Sequence, residues 1–381
     1  MLGPFGPPLP RPVFYGLAVG SVGGPLGLAA LFVPSALAGA EASSGLIVLV
    51  GGLLFGFPVL AWYRYAKRVA SAGGLYSFVE AAAGVWPARL HGAAWAVSYF
   101  LYLPSTMAYL LWDVLPVAFG RTGAVRAVLE LLVPLAMVAG LVLWRTGMLA
   151  VVALAAVAQV ALVGVLAGWE IVSAPVAPSF ALHVPAPTAA QFAASVSLLF
   201  VCGSLPLYFG SELRRPTEDT SRALPMSIGT GAACALVAAV SLGSFAPALS
   251  APVPGWQIAN SLGGRPFAVA VLVGAVVSVL TLVLLEYVAL TRLLHAMVGV
   301  GGRRAELGVG AAFVVSAALA LIGPGAAYSD LLKPSLVALY FSEVVVFVAY
   351  PLFGEKIRAR DVVVALVSSG LMVYGLYNLF R

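Results

Sequence analysis

The chain has 381 residues, of which 62% are hydrophobic and 9% charged, and its mean hydropathy is +1.05. An ordinary soluble domain carries about 25% charged residues, so the composition excludes a water-soluble globule and places the chain in a bilayer. The net charge of +6 does not point to nucleic acid, because in a membrane protein charge matters by where it lies rather than by its sum.

The N-terminal MLGPFGPPLPRP is too rich in proline for a helix and lacks a charged region followed by an apolar core, so it reads as a short lead rather than a cleaved signal. A hydrocarbon core of about 30 Å needs about 20 helical residues. On that measure eleven apolar spans follow, at 14–38, 45–66, 90–117, 127–145, 148–170, 191–211, 225–246, 267–298, 305–323, 331–353 and 361–379. Only short linkers separate them, which leaves no room for a soluble domain. The expected fold class is an all-α polytopic membrane protein forming a single transport domain.

With the N-terminus cytoplasmic, 15 of the 20 Lys and Arg residues fall on the inside, among them Arg11, Arg64, Arg145, Arg215, Arg292 and Arg304. Outside remain Arg121, Arg126, Arg265, Lys333 and Arg381. This bias sets the orientation expected in the cytoplasmic membrane, and an odd number of spans puts the C-terminus outside. The two cysteines, Cys202 and Cys234, lie within apolar segments and the three histidines stand singly. Neither pattern has a disulfide framework or metal-ligand spacing, so no metal and no cofactor are expected.

Two spans are interrupted. In the first, Gly20, Gly23, Gly24 and Pro25 crowd what should be continuous helix; in the sixth, Cys202-Gly203-Ser204-Leu205-Pro206 does the same. The breaks are five spans apart. An odd offset gives the two halves opposite orientations, so residues 14–170 and 191–353 read as inverted repeats, each opening with a broken helix, and 361–379 as an additional helix. Gly16, Gly20 and Gly24 also stand four apart, which a close-packing helix face would equally explain.

Three stretches resemble the amino acid–polyamine–organocation transporter superfamily. They are ASAGGLYSFVEAAAG (Ala70 to Gly84) with Gly92 and Trp95 after it, then Glu212, Arg214, Arg215, Pro216, Arg222 and Pro225, and LTRLLHAM (Leu290 to Met297). The resemblance covers spans one to ten and implies the leucine-transporter fold, in which five-plus-five inverted repeats give alternating access. Ala72, Ser204, Leu205, Pro25 and Pro206 depart from residues common in the family, which bears on the substrate rather than the fold.

A helix broken in mid-membrane exposes N–H groups at one new end and C=O groups at the other. By resemblance, amides around Gly20, Ser21, Val22, Gly23 and Gly24 would take a carboxylate, and carbonyls near Phe200, Val201, Cys202, Gly203 and Ser204 an ammonium group. Tyr102 runs along the third span with Ser98, Tyr99 and Ser105 and can give a cavity both an apolar wall and a hydroxyl. Glu286 lies deep in the eighth span, where a carboxylate costs several kcal/mol unless it faces a cavity or a partner. It could bind a cationic group, carry a coupling proton or pair silently.

Glu343 is a second intramembrane carboxylate, read first as a structural hydrogen bond between helices. Ser278 and Thr281 stand near where relatives place sodium-binding hydroxyls, although back-bonding to their own helix would explain them. Tyr208 and Phe209 could gate the site from the sixth span. The charged run from Glu212 to Arg222 reads as a solvated loop, or else as an inner gate whose salt bridges break and form. The function expected is secondary transport of an amino acid or related amine, coupled to H+ rather than Na+ or working as an exchanger. A passive channel is the competing reading. No nucleophile-plus-base arrangement suggests an enzyme.

Overall fold

The computed structural model describes residues 4–120, 123–173 and 179–380, and every element in it is helical. Among these residues nine helical runs are long and apolar enough to cross a membrane: Arg11–Ala36, Glu41–Ala66, Val85–Phe119, Gly123–Ser173, Ala186–Glu212, Pro216–Ala239, Pro254–Val298, Gly325–Phe353 and Ala359–Leu379. The protein is therefore an integral membrane protein.

Two observations bring nine to eleven. Gly123–Ser173 has 51 residues, about 75 Å of helix, and bends where Trp144 leaves helical geometry (φ −143°, ψ 47°), so it supplies the fourth and fifth spans. Gly302–Ala320 carries Arg303, Arg304 and Glu306 in its first turns and is the ninth. The run Pro254–Val298 turns at Gly264 (φ 67°), which separates a short leading helix from an eighth span that is continuous to Val298.

The first, second, sixth and seventh spans pack on one another, while the third, eighth and ninth pack together and against the long bent helix. The tenth lies along the third, and the eleventh covers the tenth and second. The segment 75–83 after the second span is its own short helix, Leu75–Ala83, lying against the third.

Several of the basic side chains assigned to the inside form ion pairs. Arg11 pairs with Asp219 at 2.9 Å, Arg222 with Glu218 at 2.9 Å, and Arg64 with Asp361. Arg121 and Arg381 lie outside the described residues. Of those assigned to the outside, Arg126 stacks over Trp112 and Lys333 over Phe380.

One expectation is overturned here. The run from Glu212 to Arg222 is not a solvated loop: Pro216 occupies the first turn of the seventh span, with Glu218 and Asp219 beside it, and Glu212 and Asp219 are buried. Proline is preorganised for that position and acidic residues suit the positive end of a helix dipole, so the helix begins nine residues earlier than hydropathy alone implies.

Candidate functional site

Both interruptions are present, and they are built differently. The first helix stops at Gly20, turns through Ser21–Gly24 with Gly23 and Gly24 at φ 76° and 69°, and restarts at Pro25. Those two torsions are open to glycine at little cost and to other residues only with strain. The sixth span is α-helix through Leu198, turns at Leu199 and Phe200, and then runs as a 3₁₀ helix over Val201–Glu212 with no positive φ.

Between the breaks lies a cavity of about 340 Å³. Gly23 and Phe32 of the first span, Val201 and Cys202 of the sixth and Glu286 of the eighth meet Tyr99 and Tyr102 of the third. Tyr328 and Tyr340 of the tenth span complete the ring of aromatics, and the end of the eleventh, through Asn378, closes the rim. The rim reaches the exposed Asn378 and half-buried Tyr328 and Tyr102, whereas Glu286, Cys202 and Tyr99 form a buried floor. The cavity thus opens toward the end opposite the Arg64–Asp361 pair.

Glu286 is fully buried, as its place in the sequence demanded, and it faces the cavity rather than pairing silently. The Cys202 thiol lies 3.7 Å from its Oε1, the Tyr99 hydroxyl lies 3.8 Å from the Cys202 sulfur, and Oε2 has no hydrogen-bond partner. No lysine, arginine or histidine lines the cavity among the described residues.

Several expected site residues stand behind the wall. The Ser21 hydroxyl donates to the Ala18 carbonyl at 2.7 Å, and Val22 is buried facing Gly231. A Cβ on Gly20 would meet the Thr281 methyl and one on Gly24 the Ser278 side chain, so the close-packing reading of this glycine ladder holds alongside the break. Phe200 packs on Phe55, Gly203 faces Ile228, and the Ser204 hydroxyl donates to the Val201 carbonyl.

Ser278 does not back-bond to its own helix. Its hydroxyl donates to Gln159 of the fifth span and accepts the Gly27 amide of the first at 3.0 Å, tying three spans together. Glu343 is fully buried off the cavity, and the indole N–H of Trp62 on the second span is the interhelical group that faces it, outside strict hydrogen-bond geometry.

Beneath the floor the bundle is closed. Tyr208 lies tilted against Trp95 with centroids 4.5 Å apart and packs on the Gly74 turn, and Phe209 lies against Phe14. Farther out, Arg292 bonds Glu212 at 2.8 Å and Glu306 at 2.9 Å, and Arg145 pairs with Glu212. Two cations and two carboxylates balance, as buried charges must. Phe5 of the N-terminal lead covers the set with its ring 4.0 Å from the Arg292 guanidinium carbon, and the Leu9 amide bonds the Glu212 carbonyl. The three stretches that resemble the transporter superfamily converge here: Gly92 seats Met297, Gly210 sits on the Ser71 backbone, and Glu212 holds Arg292.

Sequence reasoning missed Phe32, Tyr328, Tyr340 and Asn378. Aromatics near span ends are too common to single out, and the eleventh span, read as an additional helix outside the repeat, contributes to the cavity wall.

No family model matches the chain, and no curated protein does. Solved structures do. MhsT in complex with L-phenylalanine is similar at a TM-score of 0.66 and 15% identity, over 98% of this chain and 99% of that one. A Na+-coupled sialic acid symporter in an outward-open, substrate-bound state is similar at 0.61 and 9%, over 97% and 90%. A variant of the manganese transporter of Eremococcus coleocola is similar at 0.62 and 10%, over 97% and 87%. The chain has the leucine-transporter fold that these secondary transporters share.

Proposed function

We propose that the protein is a secondary transporter that moves a small amino acid or related amine by alternating access, with substrate held between the broken first and sixth helices. The observation that carries this reading is the asymmetry of the cavity. It opens toward one end and is sealed at the other by an aromatic layer and a buried four-residue ion network. A channel needs a continuous polar path, whereas this arrangement is one half of an access cycle.

Removing one partner from a buried ion pair costs about 3–5 kcal/mol, so the sealed end opens only if the helices bearing Glu212, Arg292 and Arg145 separate together. In our reading the inverted repeats are 14–170 and 191–353, the sealed end is cytoplasmic, and the C-terminus is outside the cytoplasmic membrane. The coupling ion is H+, carried at Glu286. The Ser278 hydroxyl ties the eighth span to Gln159 and Gly27, whereas the carboxylate of Glu286 stands in the cavity itself; one structural relative is Na+-coupled.

Proteoliposomes test this. Saturable uptake with accelerated exchange against internal substrate is expected; linear, non-saturating flux would make the protein a channel, and chemical conversion an enzyme. Single cysteines at positions 215 and 304 should react only from the cytoplasmic side, and ones at 265 and 333 only from outside. Both native cysteines are buried.

A further inference from the structure

The cavity's chemistry is narrower than that of an amino acid site. An amino acid brings a carboxylate that needs amides or a cation. Of the residues at the first-helix break only Gly23 reaches the cavity, the Gly24 amide is bonded to the Gly20 carbonyl, the Gly27 amide to Ser278, and position 25 is proline. No lysine or arginine replaces them among the described lining residues. A carboxylate here would meet tyrosine hydroxyls but no counter-charge, and it would share the pocket with the carboxylate of Glu286; a buried charge without a counter-charge is strongly disfavoured.

Opposite charge is provided for once. Glu286 is the sole acidic residue among the described lining residues, and its Oε2 is buried without a partner. One ammonium group would complete it; the second ammonium of a diamine would find no carboxylate. Around it stand Phe32, Tyr99, Tyr102, Tyr328 and Tyr340, and aromatic faces attract a cation and pack an apolar body. At about 340 Å³ the space lies at the small end of ligand pockets.

We infer that the cavity takes a small primary amine with a single positive charge, an apolar body and no carboxylate, its ammonium group held by Glu286. This rests on the transporter reading and deepens it. The groups facing Glu286 that can titrate are Tyr99 and Tyr102 from the third span, Cys202 from the sixth, and Tyr328 and Tyr340 from the tenth; the first and eleventh contribute none to the cavity. Glu286 is thus the only group there that exchanges a proton for an ammonium ion. The carboxylic acid gives up its proton as the amine, already protonated in water, takes its place, so amine entering from one side is balanced by a proton leaving.

The test uses the full chain and three probes: phenethylamine, phenylalanine and 1,4-diaminobutane. Phenethylamine should raise the thermal unfolding temperature and bind about tenfold or more tightly than either of the others. Glu286→Gln, which keeps the shape of the neutral acid, should unfold as the parent does without ligand and lose about tenfold or more in phenethylamine affinity. Phenylalanine or the diamine binding as tightly as phenethylamine, no binding of phenethylamine, or undiminished binding in Glu286→Gln would overturn the inference. Because the first comparison needs no variant, a Glu286→Gln chain that fails to fold leaves it decisive. The two readings fail separately: uptake of phenylalanine without phenethylamine removes the substrate class and keeps the transporter, whereas Glu286-dependent binding of phenethylamine with no exchange across the bilayer keeps the site and removes the transporter.

Discussion

The first and sixth spans are both interrupted by glycine and proline, yet the two breaks solve different problems. In the first, glycines at φ 76° and 69° interrupt the helix for four residues, and Pro25 restarts it where a missing N–H costs nothing. In the sixth, no residue has positive φ, and the chain instead tightens into a 12-residue 3₁₀ helix. Such runs rarely exceed four residues.

Their length has a consequence. At about 2.0 Å per residue rather than about 1.5 Å, twelve residues reach roughly 24 Å instead of 18 Å, which carries Glu212 from the cavity floor's helix out to Arg292 and Arg145. The first break is a hinge point in the backbone; the sixth is a stretched arm linking the cavity to the ion network. Glycine at one serves torsion, and at the other serves space.

Substitutions separate those two roles, and the largest effect belongs to Gly24. A Cβ there would lie 2.6 Å from the Ser278 Cβ and 2.8 Å from its Cα, and the φ of 69° adds strain. At φ 69° and ψ 140° the backbone lies in a region nearly closed to side-chain-bearing residues, which costs about 1–3 kcal/mol, and overpacking costs about 1–3 kcal/mol more. Gly24→Ala should therefore lose roughly 3 kcal/mol or more by these terms, read as a fall in yield of folded protein and in unfolding temperature in detergent. An alanine variant as stable as the parent would show that the first helix need not turn here.

Next comes Gly203, where torsion is ordinary and space is short: a Cβ would stand 2.1 Å from the Ile228 Cδ1. Gly203→Ala alone should cost about 2 kcal/mol by overpacking. Adding Ile228→Val, which removes that Cδ1, should restore most of the loss, because the two sites share one contact. Additive rather than compensating effects would mean that Gly203 is required for its backbone after all, making the breaks alike. Substrate affinity should change little in the double variant, since Gly203 faces the seventh span and not the cavity.

Much of this was legible in the sequence because it rests on strong, local rules. Membrane class follows from hydropathy, the two breaks from glycine and proline in mid-span, and the importance of Glu286 from the cost of an intramembrane carboxylate. What was illegible depends on tertiary partners. Nothing local distinguishes Gly203 from Gly23, and Glu212 looks like any charge after a span. Arg292 held a usable clue, since a cation within LTRLLHAM demands a carboxylate at the same end, and Glu212 was available there. Pro216 followed by two acidic residues likewise marked the true start of the seventh span. For Tyr328, Tyr340 and Asn378 no signal existed short of knowing that the tenth and eleventh spans close the cavity.

The smallest expected effect tests the hinge most cleanly, at Gly23. This residue has a φ of 76°, close to that of Gly24, but a Cβ would meet only Phe32 and Leu28 at 3.5 Å and beyond. Steric overlap is absent, so Gly23→Ala isolates the torsional cost, about 1 kcal/mol at the low end of the left-handed penalty. The added methyl group would stand beside the Phe32 ring at the cavity wall, so ligand affinity should fall only modestly while unfolding temperature drops measurably. If Gly23→Ala instead costs as much as Gly24→Ala, torsion rather than the Ser278 contact dominates at both positions. If it costs nothing, the turn can be redistributed over Ser21 and Val22, and Gly24 alone defines the hinge.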